Sequence, residues 1–318
     1  MTAVDEIAAT DTNSSQALRD GGTASLEGLY GRPGFKIRRA HQTAVAVFAE
    51  ATSELGITTS QYGVLHALAH IEGLDQITLA KLVGLDRSTT SLVLGLLEQR
   101  GSVERTLHKT DRRRRVLMIT DSGRQLYERA QGPVAQAIGR LLASLPVEER
   151  DPFLDLLERL VAAAALPIEP AMAEPLRELY RRPGFLIRRV HQISTALFIE
   201  EGRPFDITPT QFGMMFVLRQ RPNIDQVTVA RLARFDRSTN AMVVDLLEAR
   251  GLIERRVDIA DRRRRVLNLT PAGITLLDDL MPFAENARHR LIQCLTEAES
   301  DFLHSRLDTI VAAFEGAD

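Results

Sequence analysis

Two arginine runs each follow an aspartate: Asp111 leads into Arg112, Arg113, Arg114 and Arg115, and Asp261 into Arg262, Arg263, Arg264 and Arg265. Guanidinium groups this dense suit phosphate oxygens and a narrow minor groove. Upstream of each run lies a second polar set, Arg87, Ser88, Thr89, Thr90 and Ser91, then Arg237, Ser238, Thr239 and Asn240. Small polar and basic side chains at a helix start are types that read base edges in the major groove, and Asn can bond adenine bidentately where Thr cannot. A third set is Arg38, His41 and Gln42, repeated as Arg188, His191 and Gln192. The spacing i, i+3, i+4 puts each trio on one helical face, with Val45 and Phe48 continuing it. Arg and His beside an apolar wall suit an aromatic carboxylate, with a salt bridge for the acid and packing for the ring. The same residues equally suit ion pairs between two packed helices.

The positioning elements follow from pattern. Asp86 and Asp236 read as helix N-caps. Leu92, Val93, Leu96 and Leu97 form one apolar face, which leaves Arg87, Ser88, Thr90 and Ser91 at an exposed start. Gly101 ends the helix. Val103-Glu104-Arg105 and Val116 to Ile119 read as hairpin strands, with the arginine run at their tip. Upstream, Pro33 opens a long helix to about Leu55, and Thr58 or Thr59 caps a second with Tyr62, Val64, Leu65 and Leu68 facing inward. Gln76-Ile77 is a short extended piece, Thr78 caps Leu79 to Val83, and Gly84-Leu85 turns into the Asp86 helix. After the hairpin, Thr120 starts a long helix interrupted near Gly132-Pro133, and Val147 to Leu166 gives a last helix.

All of this occurs twice. LYGRPGFKIRRAHQ from Leu29 returns as LYRRPGFLIRRVHQ from Leu179, an offset of 150 residues that also aligns Gln61 with Gln211 and Asp86 with Asp236. The expected organisation is a disordered tail over 1–28, one domain over 29–166, a proline-bearing linker over 167–178 and a second domain over 179–318. The chain of 318 residues has a formal net charge of -2, so its basic charge is clustered rather than general. The single cysteine, Cys294, excludes an intramolecular disulfide and reads as a buried thiol in a reducing compartment. No apolar run reaches bilayer-spanning length and the N-terminus has no signal pattern, so the expectation is a cytoplasmic protein without a membrane partner. There is no glycine-rich phosphate loop and no nucleophile elbow, so no enzyme and no cofactor is expected. His66 and His70 have a metal-ligand spacing, but copy two holds Phe216 and Gln220 there, so no metal site is expected.

The order of helices, DRST, LLE-x-RG, the D-R-R hairpin and LT-x-x-G resembles the MarR family of bacterial regulators. RPGF-x-IRR-x-HQ resembles a subgroup controlling aromatic-acid catabolism. The resemblance implies a mainly α fold with small β-wings: two winged helix-turn-helix domains whose long N- and C-terminal helices form an intramolecular pseudo-dimer. It implies a double-stranded DNA operator, a small aromatic carboxylate effector and repression, with Asp111 orienting Arg113 and Asp261 orienting Arg263. Family members are usually homodimers of single domains, so here one chain would take the place of two, although two chains exchanging copies fit the same linker. Recognition helices about 34 Å apart would read an imperfect palindrome. The difference of Thr90 and Ser91 from Asn240 and Ala241 predicts unequal half-sites. Alternatives are a winged-helix protein-interaction module, or a metal- or thiol-sensing regulator.

Overall fold

The computed structural model describes residues 26–107, 115–164, 170–258 and 263–315. In copy one, α1 (Glu27–Tyr30) precedes α2 (Pro33–Ala51), α3 (Thr59–His70), α4 (Gln76–Val83) and α5 (Arg87–Gln99). Strands β1 (Val103–Leu107) and β2 (Arg115–Ile119) follow, then α6 (Asp121–Leu142) and α7 (Val147–Ala164). The junction carries α8 (Pro170–Ala173) and α9 (Arg177–Tyr180). Copy two repeats the order as α10 (Pro183–Glu201), α11 (Pro209–Gln220), β3 (Ile224–Asp225), α12 (Gln226–Ala233), α13 (Arg237–Ala249), β4 (Ile253–Val257), β5 (Arg265–Leu269), α14 (Pro271–Ile292) and α15 (Glu297–Glu315). Each hairpin is antiparallel, with Val103 opposite Ile119 and Ile253 opposite Leu269. The fold is therefore mainly α with small β-wings and two winged helix-turn-helix domains.

Several boundaries differ from the sequence expectation. The interruption expected near Gly132-Pro133 is absent and α6 runs through Pro133. Buried Ala130, Val134 and Ala137 anchor it on the core across the missing N–H. Asp75, rather than Thr78, caps α4, its carboxylate accepting from the Thr78 N–H at 2.8 Å. Of the expected tail 1–28, residues 1–25 lie outside the described residues. Leu26, however, is buried in an apolar core, so order begins before residue 28.

The compact units are not coextensive with the repeats. The larger comprises Lys36–Ala196 and the described part of His289–Asp318, the smaller the described part of Met1–Phe35 with Leu197–Arg288. The larger unit thus holds the copy-one winged helix together with long helices of both copies. Its core joins Val64, Leu65, Leu79, Leu94 and Leu97 to Leu176 of the junction. Copy one meets copy two there through Lys36 with Asp308, Arg39 with Glu315, and Arg306 with Glu149. Arg159 also bonds the Cys294 carbonyl at 2.6 Å and pairs with Glu299. These contacts join the long helices of the two copies within one chain. The smaller unit packs Leu26 and Leu29 with Met214, Met215, Val244 and Leu247 around its own winged helix.

The LT-x-x-G segment shows why its glycine is there. The Thr120 hydroxyl accepts from the Gly123 N–H at 3.1 Å. A Cβ on Gly123 would lie 2.0 Å from the Ser102 carbonyl oxygen, and one on Gly273 would lie 2.0 Å from that of Leu252. Helix propensity favours Ala over Gly by about 1 kcal/mol, but this contact is with rigid backbone and decides the sign. Gly123→Ala should therefore lower the melting temperature by several degrees, a cost of about 2 kcal/mol or more. An unchanged or raised melting temperature would contradict the packing.

Candidate functional site

Both recognition helices are capped in the same way. Asp86 Oδ1 accepts from the Thr89 N–H at 2.8 Å and the Ser88 hydroxyl at 2.6 Å, and Oδ2 accepts from the Thr89 hydroxyl at 2.6 Å. Asp236 repeats this with Ser238 and Thr239. These bonds hold both carboxyls far below the ordinary carboxylate range, with the Ser and Thr hydroxyls the leading causes. The Ser88 and Thr89 protons are thus committed to the cap, while Arg87, Ser88 and Ser91 remain exposed. A surface concavity is lined by Gln76, Asp86, Arg87, Ser88 and Ser91. Gln76 was not among the expected contact residues; as the first residue of α4 beside the α5 start, its place follows from the helix-turn-helix geometry alone.

The phase of the recognition helix corrects the sequence reading. The buried face is Thr90, Val93, Leu94 and Leu97, whereas Leu92 and Leu96 are 65% and 45% exposed. Thr90 turns inward and its hydroxyl donates to the Asp86 carbonyl at 2.7 Å. Asn240 is likewise buried, its Nδ2 donating to the Gln226 carbonyl at 2.9 Å. Thr90 and Asn240 therefore hold the turn together rather than facing a groove, and Asn240, expected to read adenine, has its amide turned inward.

The LLE-x-RG motif ties these elements together. Arg100 donates to the carbonyls of Leu55 at 2.7 Å and Gly56 at 3.1 Å, and Arg250 does the same to Phe205 and Asp206. Glu98 pairs with Arg105 of β1 and Glu248 with Arg255 of β4, each at 2.5 Å. Asp111, Arg112, Arg113, Arg114, Asp261 and Arg262 lie outside the described residues, and with them both expected Asp–Arg pairs. Arg115 and Arg265 open the return strands and are exposed. Arg264 pairs with Asp225 at 2.7 Å and reaches Asp258 at 3.6 Å.

A small cavity of about 70 Å3 opens in the larger unit between α2, α3, α6 and the start of α10. Phe48, Val134, Ile138 and Leu141 give it an apolar wall; Tyr62, Arg182 and Arg188 give it polar groups. Arg182 was not among the expected site residues, although the RPGF stretch that begins with it is repeated from Arg32. Its guanidinium lies 4.8 Å from the centre of the Tyr62 ring and Nη2 pairs with Glu178, while Nη1 is buried with no hydrogen-bond partner among the described residues. Arg188 donates to the carbonyls of Val83 at 2.6 Å and Gly84 at 2.9 Å. Burial, with Arg189 nearby, lowers its pKa to about 10.

Of the six expected ligand residues, Arg188 alone lines this cavity. Gln192 donates to the same Gly84 carbonyl at 3.0 Å. Gln42 accepts from Arg39 at 2.8 Å. The rings of His41 and His191 lie 4.9 Å apart. Burial lowers Arg38 to about 10. Val45, expected beside this group, is on the exposed side of α2.

His66 and His70 stack 4.3 Å apart, but His70 Nδ1 meets the His66 carbonyl at 2.8 Å and His66 Nδ1 meets the Tyr127 hydroxyl at 3.0 Å. Among the described residues no group of three metal-ligating side chains exists. Cys294 lies just past the end of α14 and is half-buried rather than buried. No helix among the described residues is long and apolar enough to cross a membrane.

A capped helix set beside a hairpin wing, present twice, defines the class of winged helix-turn-helix transcriptional regulators. The MarR family model matches residues 55–114 and 205–264, so each repeat carries the signature. The chain is 36% identical over 133 residues to a putative transcriptional regulatory protein for the hcr operon of Thauera aromatica, covering 42% of this chain and 80% of that protein. It is 32% identical over 101 residues to the transcriptional repressor NicR of Pseudomonas putida, covering 32% of this chain and 64% of NicR. A solved structure of Bordetella bronchiseptica BpsR, described as regulated in its DNA binding by 6-hydroxynicotinic acid, is 32% identical with a TM-score of 0.35 and covers 37% of this chain and 84% of BpsR. The chain belongs to the MarR family and is a transcriptional regulator.

The buried histidines make stability depend on pH. Burial, with His191 and Arg188 nearby, lowers His41 to about 4; burial, with His70 and Arg182, lowers His66 to about 4. An unfolded chain protonates these groups near pH 6.5. Between about pH 6.5 and 4 it therefore binds protons that the folded chain refuses, so stability falls as pH drops through that window. Melting curves should show this loss between pH 7 and pH 5, with a shallower dependence in His41→Gln. An identical pH dependence in the variant would show that His41 takes up its proton as readily in the folded chain as in the unfolded one.

Proposed function

We propose that this regulator is a repressor acting as one chain on an imperfect palindrome, and that a small aromatic acid releases it. The observation that carries the reading is the cavity in which two half-buried arginines lie beside an apolar wall. An acid group suits Arg182 and Arg188, and a ring suits Phe48, Ile138 and Leu141. Arg188 also holds the Val83 and Gly84 carbonyls at the end of α4. A carboxylate that recruits this guanidinium competes with those carbonyls, which biases the position of α4 and of the α5 that follows it. The remaining polar residues of the long helices, Arg38, His41, Gln42, His191 and Gln192, then serve as packing around that linkage.

On DNA, Arg87, Ser88 and Ser91 would face one half-site and Arg237 and Ser238 the other. Arg113, Arg115, Arg263 and Arg265 would follow the backbone or minor groove. The half-sites remain unequal in this reading through Ser91 and Leu92 against Ala241 and Met242.

The test is the molar mass of the protein on a duplex from its own upstream region, followed by titration with benzoate- and hydroxycinnamate-type acids. One chain per palindrome, released by a ring acid, is expected. Two chains per duplex would replace the one-chain reading with pairing between chains. Arg237→Ala should weaken specific binding by about 1–3 kcal/mol and alter the footprint over one half-site. Arg115→Ala should lower the slope of log affinity against log salt by about 0.9, uniformly across sequences. A sequence-selective loss from Arg115→Ala would instead assign that residue to base reading.

A further inference from the structure

We propose that the duplication has left one working effector site per chain, in the larger unit, and that this site selects rings bearing a hydrogen-bonding substituent away from the acid group. The inference rests on the ring-acid reading above and deepens it. Behind the cavity, Tyr62 donates to Gln131 Oε1 at 3.1 Å, and the Tyr127 hydroxyl meets His66 Nδ1 at 3.0 Å. The Tyr62 and Tyr127 rings lie 5.8 Å apart. His66 is 1% exposed and its Nε2 has no hydrogen-bond partner among the described residues. The wall that Tyr62 presents to the cavity is therefore backed by a polar network with unused capacity. At the other end, Arg182 is 10% exposed with Nη1 unpartnered. A buried donor left unmade costs free energy that a ligand acceptor recovers.

Copy two has lost each of these features. Phe212, Phe216, Leu277 and Met281 stand where copy one has Tyr62, His66, Tyr127 and Gln131. Phe212, Phe216 and Leu277 are buried in the core of the smaller unit, with Met281 packed against it. Gly28, the counterpart of Glu178, lies so close to Phe216 that an added Cβ would sit 3.1 Å from its ring. Arg32, the counterpart of Arg182, donates through Nε to the Gly28 carbonyl at 3.2 Å, pairs with Glu285 at 3.7 Å, and lies over the Phe212 ring at 5.3 Å. Copy one has Ala135 where Glu285 stands, a side chain with no charge to offer an arginine. The smaller unit thus supplies its own carboxylate from a helix position that the larger unit leaves apolar.

The test is calorimetric titration of the full chain with benzoate, 4-hydroxybenzoate, cinnamate and 4-hydroxycinnamate. One equivalent per chain is expected, with the 4-hydroxy acids about tenfold tighter, the worth of one hydrogen bond. Tyr62→Phe, which installs the residue copy two already carries, should erase that preference while keeping one equivalent. Arg182→Met should abolish binding, and Arg32→Met should leave it unchanged. Two equivalents per chain, or loss of binding in Arg32→Met, would overturn the one-site inference and leave the ring-acid reading standing. A preference that survives Tyr62→Phe would overturn the selectivity. No heat with any of the four acids, with operator binding intact, would overturn the ring-acid reading and this inference together.

Discussion

The end of α4 is where the reading head is fastened. A helix of eight residues is too short to be stable alone, and its last carbonyls have no partner within the helix. Here they are met by side chains of α10: Arg188 at Val83 and Gly84, Gln192 at Gly84, and Arg189 more distantly at 3.4 Å. Positive groups also complement the negative end of the helix dipole. The arrangement needs Gly84, which adopts a left-handed φ of 61° and would, with a Cβ, meet Arg189 Nη1 at 2.5 Å. Copy two places Arg234 at the same left-handed position, with φ 56°. A long helix of one copy therefore holds the DNA-reading motif of the other, and cavity, fastening and recognition helix form one connected series.

Much of the fold was legible because it rests on local rules. The repeat fixed the element order, Asp86 and Asp236 fixed both recognition-helix starts, and Thr58 with Gln61 makes the capping box. The phase of α5 was less legible. Leu92, Val93, Leu96 and Leu97 make a plausible stripe, and only the positions of α3 and α4 decide that Thr90 and Leu94 face inward in place of Leu92 and Leu96. The continuity of α6 through Pro133 was hidden for the same reason: tertiary packing outweighs one lost hydrogen bond.

The candidate site was legible in type more than in place. An arginine beside an apolar wall was expected from the long helix, and Arg188 is such a residue. The rest of the predicted trio lies in the helix packing, because a shared helical face specifies direction but not which neighbour occupies it. Arg182 escaped notice although Tyr62, His66 and Tyr127 differ openly from Phe212, Phe216 and Leu277. The histidine spacing drew attention to metals, whereas the side chains form a hydrogen-bonded wall.

The contacts between copies have a further consequence for assembly. Glu149 and Glu299 occupy equivalent positions, yet Glu149 pairs with Arg306 and Glu299 with Arg159. The counterpart of Arg306 is Leu156, and that of Arg159 is Thr309. By the symmetry of the repeat, two first copies would pair Arg159 with Glu149 across their interface, and two second copies would pair Arg306 with Glu299. The two bridges in this chain are therefore of different kinds, one drawn from each pairing, so the halves are joined by contacts that the internal repeat does not duplicate.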